Sequence, residues 1–263
     1  MARERRLVFG EVAELYDRYR PGYPAALIDD LVALAGLDGR RSVLEVGTGT
    51  GKATRLFAQR GIPVVGVEPS AEMAAVARRA LAGHENITIE RADFETWDPA
   101  GRTFPLLFSG QAWHWVARER GYAKAVEVLD PGAVLSAFWN RPQWSRAPLR
   151  EAMFEVYERA VPGMAPDGPM HPAHNDPGAE ESWTAEIEAA PGLGEAEVRE
   201  YPWGARYTPE QYTGLLATTS DLRLLGEDER AAVLEGLREL IARHGGALEL
   251  PMVTRLCLAR RLG

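Results

Sequence analysis

The chain has few of the features that mark disulfide-stabilised, membrane-spanning or nucleic-acid-binding proteins. Its 263 residues contain a single cysteine, Cys257, so no internal disulfide can form and a reducing, cytoplasmic location is expected. No run of about twenty apolar residues predicts a membrane-spanning helix, and no apolar signal-peptide core follows the charged segment 1–6. Thirty lysines and arginines against thirty-eight aspartates and glutamates leave a net charge of −8, which disfavours nucleic-acid binding.

Short apolar segments alternate with segments of helical periodicity, which predicts an α/β fold. Two helices are expected within residues 8–35, broken by the prolines and glycine of residues 21–24. Strands are predicted at residues 42–46, 62–67, 86–91, 104–109, 133–139, 198–203 and 250–258. The helices after the first strands are predicted at residues 52–60, 71–81 and 121–129, and later ones at 146–160, 209–219 and 228–244. Such alternation favours a doubly wound, mostly parallel sheet whose ligand lies beyond the carboxyl ends of the strands.

Three alternating glycines follow the first predicted strand, in the segment LEVGTGTG at residues 44–51. Glycines in such a turn let the backbone bend sharply and approach a ligand closely. The dinucleotide pattern G-x-G-x-x-G fails from Gly47, whose sixth position is Lys52, and from Gly49, whose sixth position is Thr54. The pattern G-x-x-x-x-G-K-[ST] also fails, because no hydroxyl residue follows Lys52.

Carboxylates follow the second and third predicted strands. Glu68, which precedes Pro69, comes about twenty residues after the glycine turn, where a carboxylate accepts both hydroxyls of a ribose. Asp93 and Phe94 follow the third strand and pair a carboxylate with an aromatic ring, which suits the exocyclic amine of a flat purine. Together with the glycine turn, these segments predict a cofactor that carries a ribose and a purine.

In these segments the sequence resembles the class I S-adenosylmethionine-dependent methyltransferases. The resemblance is carried by LEVGTGTG, VVGVEPSAEM, ERADFETW and FSGQAWHWV, each after its predicted strand, over roughly residues 9–140. The opening segment 9–24 resembles the cofactor-capping helix of the trans-aconitate methyltransferase-like subset. The resemblance implies a Rossmann-like, seven-stranded α/β fold with N-terminal capping helices and an inserted helical cap. It also implies S-adenosyl-L-methionine as the methyl donor and S-adenosyl-L-homocysteine as the product.

The resemblance assigns roles to individual residues. The glycine motif with Glu45 wraps the methionine and ribose of the cofactor, Glu68 binds the ribose hydroxyls, and Met73 lies near the adenine. The residues expected to bind the cofactor are Tyr16, Arg20, Glu45, Gly47, Thr48, Gly49, Gly51, Glu68, Pro69, Met73, Asp93, Phe94 and Gln111. A strand-end acid is the alternative for Glu45, and ordinary aromatic packing is the alternative for Tyr16 and Tyr23.

The segment after the fourth strand holds a candidate general base, His114, because an unperturbed imidazole pKa near 6.5 suits that work. The alternative is a ring that hydrogen-bonds the cofactor or the backbone. The residues expected to line the pocket of the methyl acceptor are Tyr23, Trp113, Trp115 and Arg141. Arg141 or Arg146 can pair with an acidic group, although a solvated arginine is the alternative. His171, His174 and Asp176 lie in a proline-broken loop without helical i, i+4 spacing, so no metal site is predicted.

One methyltransferase domain is expected over residues 1–263. Its parts are capping helices (1–36), a cofactor-binding core (37–140), a substrate cap (141–195), and strands and helices that complete the sheet (196–263). The predicted function is methyl transfer to a small molecule by in-line displacement in a closed pocket, without nucleic-acid or membrane partners. A carboxylate O-methyltransferase and a protein that binds the cofactor without methyl transfer are the alternatives. A monomer and a homodimer are equally compatible with the sequence.

Overall fold

The computed structural model describes residues 13–164, 168–174 and 178–263, the last range by backbone alone at residues 178–182. Within these residues the chain forms one seven-stranded sheet. Its strands are β1 (Val43–Val46), β2 (Val64–Val67), β3 (Ile87–Glu90), β4 (Phe104–Gly110), β5 (Leu129–Pro142), β6 (Glu197–Tyr207) and β7 (Leu248–Arg260). The spatial order is β3-β2-β1-β4-β5-β7-β6. Pairing is parallel from β3 to β5, and β7 is antiparallel to both of its neighbours. The prediction of a doubly wound, mostly parallel, seven-stranded sheet is confirmed.

Helices flank the sheet. They are α1 (Ala13–Tyr19), α2 (Ala25–Leu34), α3 (Lys52–Ala58), α4 (Ala71–Ala80), α5 (Arg118–Val128), α6 (Arg150–Ala160), α7 (Gly178–Glu188), α8 (Pro209–Leu216), α9 (Ser220–Arg223) and α10 (Glu227–Arg243). Single 3-10 turns cover Phe94–Thr96, Trp113–Trp115 and Trp144–Arg146. Ser70 caps the N-terminus of α4, because its hydroxyl accepts the Met73 N–H at 3.2 Å. In the described part of the chain no helix has the length and apolarity needed to cross a membrane.

Alternate residues of the central strands face opposite sides of the sheet, and both sides are apolar. In β1, Leu44 and Val46 pack with residues of α5 and α7, whereas Val43 packs with residues of α2 and α3. Strands covered on both faces form continuous buried runs rather than an alternation of apolar and polar residues. This is why all four residues of β1 are buried, including the carboxylate of Glu45.

A second apolar core lies under the C-terminal part of the chain. It joins α6, α8 and α10 to β6 and β7 through Met153, Leu215, Leu237 and Leu250, among others. The N-terminal helix α1 rests on α8, where a Cβ on Gly214 would lie 2.6 Å from the ring of Tyr19. This contact places α1 beside the carboxyl end of the sheet.

Some boundaries differ from the prediction. β5 begins four residues earlier than expected, where Leu129 pairs with Phe104 of β4, and β7 extends to Arg260, which pairs antiparallel with Val134; apolar periodicity marks neither pairing. α6 begins at Arg150 rather than residue 146, where a 3-10 turn takes its place. Helix α7 was not predicted. Residues 8–12 of the expected first helix lie outside the described residues, and the division of one domain into four parts stays a prediction.

Candidate active site

A cavity of about 460 Å³ lies beyond the carboxyl ends of the parallel strands. The turn after β1 contributes Gly47 and Gly49 to its wall, the turn after β2 contributes Glu68, and the residue after β4 contributes Gln111. This is the place where an open α/β sheet holds its ligand. Predicted site residues on the wall of this cavity are Tyr16, Arg20, Gly47, Gly49, Glu68, Pro69, Met73, Phe94, Gln111, His114, Trp115 and Arg141.

The glycine turn is shaped by backbone conformations and spaces that other residues do not fit. Gly47 has a φ of 72°, and a Cβ there would overlap the methyl group of Ala112. Gly49 has a φ of 57°, and no atom lies within 4 Å of the Cβ that it lacks, so this backbone is open to the cavity. Gly51 is not on the cavity wall and instead packs against Leu81 near the end of α4.

Glu68 connects the glycine turn to the start of α4. One of its carboxylate oxygens accepts the Gly49 N–H at 2.8 Å, and the other accepts the Ser70 N–H at 2.8 Å. A carboxylate oxygen has room for two hydrogen bonds, so Glu68 can also accept the hydroxyls of a ribose. Its position, 7% exposed on the cavity wall, fits that use.

Glu45 and Thr48 lie beside the cavity rather than on its wall. Both line an adjoining pocket of about 50 Å³ together with Tyr23. Burial, opposed by the hydrogen bond that Thr54 donates and reinforced by the charge of Glu68, raises the pKa of the Glu45 carboxyl to about 8. Glu45 therefore holds a proton at neutral pH.

The two residues predicted for the adenine have different positions. Phe94 is buried and lies on the cavity wall, as do Met73 and Pro69. Asp93 is exposed and is absent from that wall, where Glu95 appears instead. Glu95 accepts the Ala117 N–H at 2.8 Å, so its carboxylate has a structural contact.

The N-terminal helix covers the cavity and is attached on two sides. Arg20 donates to the hydroxyl of Thr218 at 2.8 Å and to its carbonyl at 3.1 Å, and its guanidinium lies 5.2 Å from the ring centre of Tyr16. Lys52 donates to the carbonyl of Asp17 at 2.6 Å. Tyr16 and Arg20 are thereby held over the glycine turn.

Comparison with known proteins gives this geometry a context. The methyltransferase-domain family matches residues 43–132, which run from β1 to the start of β5. An uncharacterized methyltransferase of Mycobacterium tuberculosis is 30% identical over 257 residues, which cover 96% of this chain and 95% of that protein. The chain belongs to the class I S-adenosylmethionine-dependent methyltransferases.

Two further comparisons add detail to this assignment. The structure of a protein from Anaeromyxobacter dehalogenans, described as a type II methyltransferase, is 25% identical to this methyltransferase. It aligns over 93% of this chain and 99% of that chain with a TM-score of 0.66. Similarity to trans-aconitate 2-methyltransferase of Rhodopseudomonas palustris is narrower, at 33% identity over 131 residues, 48% of this chain and 50% of that protein. The narrower subset is therefore only weakly supported.

His114, which also lies on the cavity wall, has a defined tautomer. The indole nitrogen of Trp139 donates to its Nδ1 at 3.2 Å, and because an indole N–H only donates, Nδ1 accepts and the ring proton lies on Nε2. Desolvation by the surrounding protein, followed by the charge of Arg141, lowers the pKa of His114 to about 4, although part of the residue is exposed to solvent. The ring is thus a neutral hydrogen-bond donor, which favours the alternative to a general base.

Three tryptophans lie beside His114 on the wall of the methyltransferase cavity. The rings of Trp139 and Trp183 stack with centres 3.4 Å apart, and the guanidinium of Arg141 lies 5.9 Å from the Trp183 ring centre. Trp115 contacts the His114 ring at 4.7 Å. His174 and Ser220 complete the wall. Trp139, Trp183 and Ser220 were not predicted as site residues, because no local pattern in their segments indicates that they converge.

The remaining predicted residues lie elsewhere. Trp113 packs in the core against Tyr122 and lines a separate cavity of about 240 Å³. Arg146 is exposed and bonds Gln143, and it is absent from the cavity wall. His171 is buried beside Tyr157 and is absent from the cavity wall, although its carbonyl accepts the N–H of His174, which does line the wall, at 2.9 Å. Asp176 lies outside the described residues, and within those residues no group of three potential metal ligands occurs.

Proposed function

We propose that this methyltransferase transfers the methyl group of S-adenosyl-L-methionine to a small molecule inside the cavity of about 460 Å³. A single observation carries this proposal. One continuous cavity is lined by Glu68 and Phe94, which suit a nucleoside and which we assign to a first end, and by Trp115, Trp183 and Arg141, which the cofactor does not require and which we assign to a second end. Two ends of different chemistry suit a donor and an acceptor that meet in the middle.

The residues at the first end fit the cofactor. The open backbone at Gly49 leaves space for the methionyl and ribose parts, Glu68 offers acceptors to the ribose hydroxyls, and Met73 and Phe94 provide apolar walls for the adenine. When bound, the cofactor supplies a methyl group on a sulfonium, and its in-line displacement leaves a neutral thioether. Asp93 is proposed to approach the adenine amine from the rim of the cavity.

The protein contributes mainly orientation. Holding a nucleophile and a methyl carbon in line at near contact can supply about 7–11 kcal/mol. Tyr16 and Arg20 from the N-terminal helix, and Pro169 and His174 from the segment above the sheet, cover the cavity. This cover supports a closed pocket and a compact acceptor.

Within this reaction, a carboxylate acceptor is the candidate that the second end favours. His114 presents an N–H at Nε2, and Arg141 adds a positive charge on the same wall. Both groups suit an oxygen anion. A carboxylate arrives ionised and needs no base, which agrees with a His114 that stays neutral and donates.

Two measurements test the proposed function in sequence. Calorimetric titration with S-adenosyl-L-methionine and S-adenosyl-L-homocysteine tests the cofactor site. Incubation with methyl-labelled cofactor and a panel of small carboxylates, phenols and amines then tests transfer, with base-labile label expected from the carboxylates. Binding of the cofactor without label in any product would favour a protein that uses it without methyl transfer.

A further inference from the structure

Asn140 is a buried amide that joins the sheet to the N-terminal segment. It lies in β5, is 5% exposed, and lines the pocket that also contains Glu45. A buried amide is costly unless its donors and acceptor are paired. Its Nδ2 donates to the carbonyl of Gly22 at 2.9 Å, and its Oδ1 accepts from the hydroxyl of Thr254 at 2.6 Å.

The orientation of this amide is set by its neighbours. The indole nitrogen of Trp203 donates to the hydroxyl of Thr254 at 3.0 Å. An indole N–H can only donate, so the Thr254 hydroxyl accepts from Trp203 and directs its own proton to Asn140. The amide oxygen must then face Thr254, which turns the NH₂ group toward Gly22. Three hydrogen bonds thus run in one direction, from β6 through β7 and β5 to the turn before α2.

The turn that receives this bond carries the cover of the cavity. Tyr23, next to Gly22, packs edge-on against Phe138 at 4.8 Å, and a Cβ on Gly110 would lie 2.8 Å from its hydroxyl. Tyr16 and Arg20 precede the turn and line the cavity. A displacement of the turn would therefore pull on both residues, against the contacts that Thr218 and Lys52 make with this segment.

We propose that Asn140 is a positioning residue, and that the Trp203–Thr254–Asn140 relay holds the turn at residues 21–24 and with it Tyr16 and Arg20 over the cavity. The effect on the cofactor rests on the proposed function, whereas the effect on the turn does not. In this arrangement the edge strand β6 is linked by hydrogen bonds to the turn that follows α1.

Hydrogen exchange without any ligand tests the relay. Asn140→Asp keeps the acceptor for Thr254 but cannot donate to Gly22, and Thr254→Val removes the relaying hydroxyl. Both should speed amide exchange in residues 13–24 by about tenfold, the effect of losing one such bond. Thr254→Ser should restore the wild-type rate. Ser136→Ala is the matched control, because the Ser136 hydroxyl is buried in β5, the strand of Asn140, but donates to the carbonyl of Leu107 instead.

Two exchange results would overturn the relay. The first is unchanged exchange in residues 13–24 for both Asn140→Asp and Thr254→Val. The second is an equal rise in residues 13–24 and in α10, because this would indicate general destabilisation rather than release of the turn.

Titration with S-adenosyl-L-methionine tests the consequence for the cofactor. Asn140→Asp and Thr254→Val should weaken binding by about tenfold, with a raised KM for the cofactor and little change in kcat. Equal affinity in these variants, despite faster exchange in residues 13–24, would contradict the link to the cavity. If the wild-type protein binds no cofactor, the proposed function fails, while the exchange rates still decide whether the relay holds the turn.

Discussion

The indole nitrogen of Trp139 lies 3.2 Å from Nδ1 of His114, and this contact determines what the imidazole offers to the cavity. With Nδ1 accepting, the only proton of the neutral ring is on Nε2. Enclosure by the protein and the charge of Arg141 lower the pKa of His114 to about 4, so the ring stays neutral above that pH. It therefore donates one hydrogen bond and does not change charge between pH 6 and 8.

Substitution of His114 distinguishes a donor from a general base. His114→Gln keeps an N–H donor and should retain most of the activity, whereas His114→Ala should lower kcat/KM by about tenfold, the contribution of one hydrogen bond. Steady-state kinetics with the acceptor found by label transfer measure both variants. A base would lose about 10²–10⁴-fold in each of them.

The pH profile provides a second measurement of His114. Because the pKa of His114 is lowered to about 4, the fully active, neutral ring is already present at pH 6, and the profile of His114→Gln should match that of the wild type from pH 6 to 8. A wild-type activity that rises near pH 6.5, with a flat profile in His114→Gln, would instead establish His114 as the titrating base.

Glu45 should lower the stability of the fold as the pH rises, which is opposite to the usual effect of a carboxylate in an ion pair. Burial raises the pKa of Glu45 from its ordinary 4.5 to about 8, so between these values the folded chain keeps a proton that the unfolded chain has lost. The contribution of Glu45 to stability is complete below pH 4.5 and is lost as the pH rises through about 8. The Tm of Glu45→Gln minus the Tm of the wild type should increase by several degrees from pH 5 to pH 8, because only the wild type loses stability over this range. Above pH 8 this difference should stay constant.

Glu90 offers a control of opposite sign. The Arg102 guanidinium lowers the pKa of Glu90, so its contribution is present above pH 4.5 and is lost in acid. Glu90→Gln should therefore have a lower Tm than the wild type at pH 7, and the difference between the two Tm values should shrink as the pH falls. A Tm difference for Glu45→Gln that does not change with pH would contradict the protonated state of that carboxyl.

Glu68 should be needed for cofactor affinity. Glu68→Ala removes the acceptor of two hydroxyls and the contacts to Gly49 and Ser70, and two charge-assisted hydrogen bonds correspond to about a hundredfold in the Kd of S-adenosyl-L-methionine. Glu95→Ala is the control, because that carboxylate lies on the same cavity wall but has no proposed contact with the cofactor. Equal affinities for wild type and Glu68→Ala, measured by calorimetry, would remove Glu68 from the site.

Arg141 should affect the acceptor and not the cofactor. Its guanidinium lies on the cavity wall beside the Trp183 ring, where Arg141→Ala should raise the KM of a carboxylate acceptor by about tenfold or more. Arg146→Ala, five residues further along the chain and exposed, should change nothing. An acceptor KM that both variants leave unchanged would argue against an anionic acceptor.

The mostly parallel α/β sheet and the cofactor end of the site follow from local patterns. The apolar run before Gly47 and the acid after β2 lie within short stretches of sequence, and parallel topology brings the ends of such strands together. This is why Glu68 and Phe94 could be predicted to share a site with the glycine turn, and the structure brings them to one cavity.

The acceptor end depends on contacts between distant segments and could not be predicted in the same way. Trp183 lies in α7, a helix rich in acidic residues and poor in apolar ones. The ring that stacks on it, Trp139, belongs to β5. The tautomer of His114 depends on the same Trp139. Asp93, although next to Phe94, is exposed and is absent from the cavity wall, because consecutive residues in a short turn face different directions.

Calorimetric titration of the wild-type protein with S-adenosyl-L-methionine tests the central claim most directly. We expect one site per chain that binds S-adenosyl-L-methionine and S-adenosyl-L-homocysteine in competition. Absence of binding by either compound at millimolar concentration would contradict the assignment of the cavity to this cofactor.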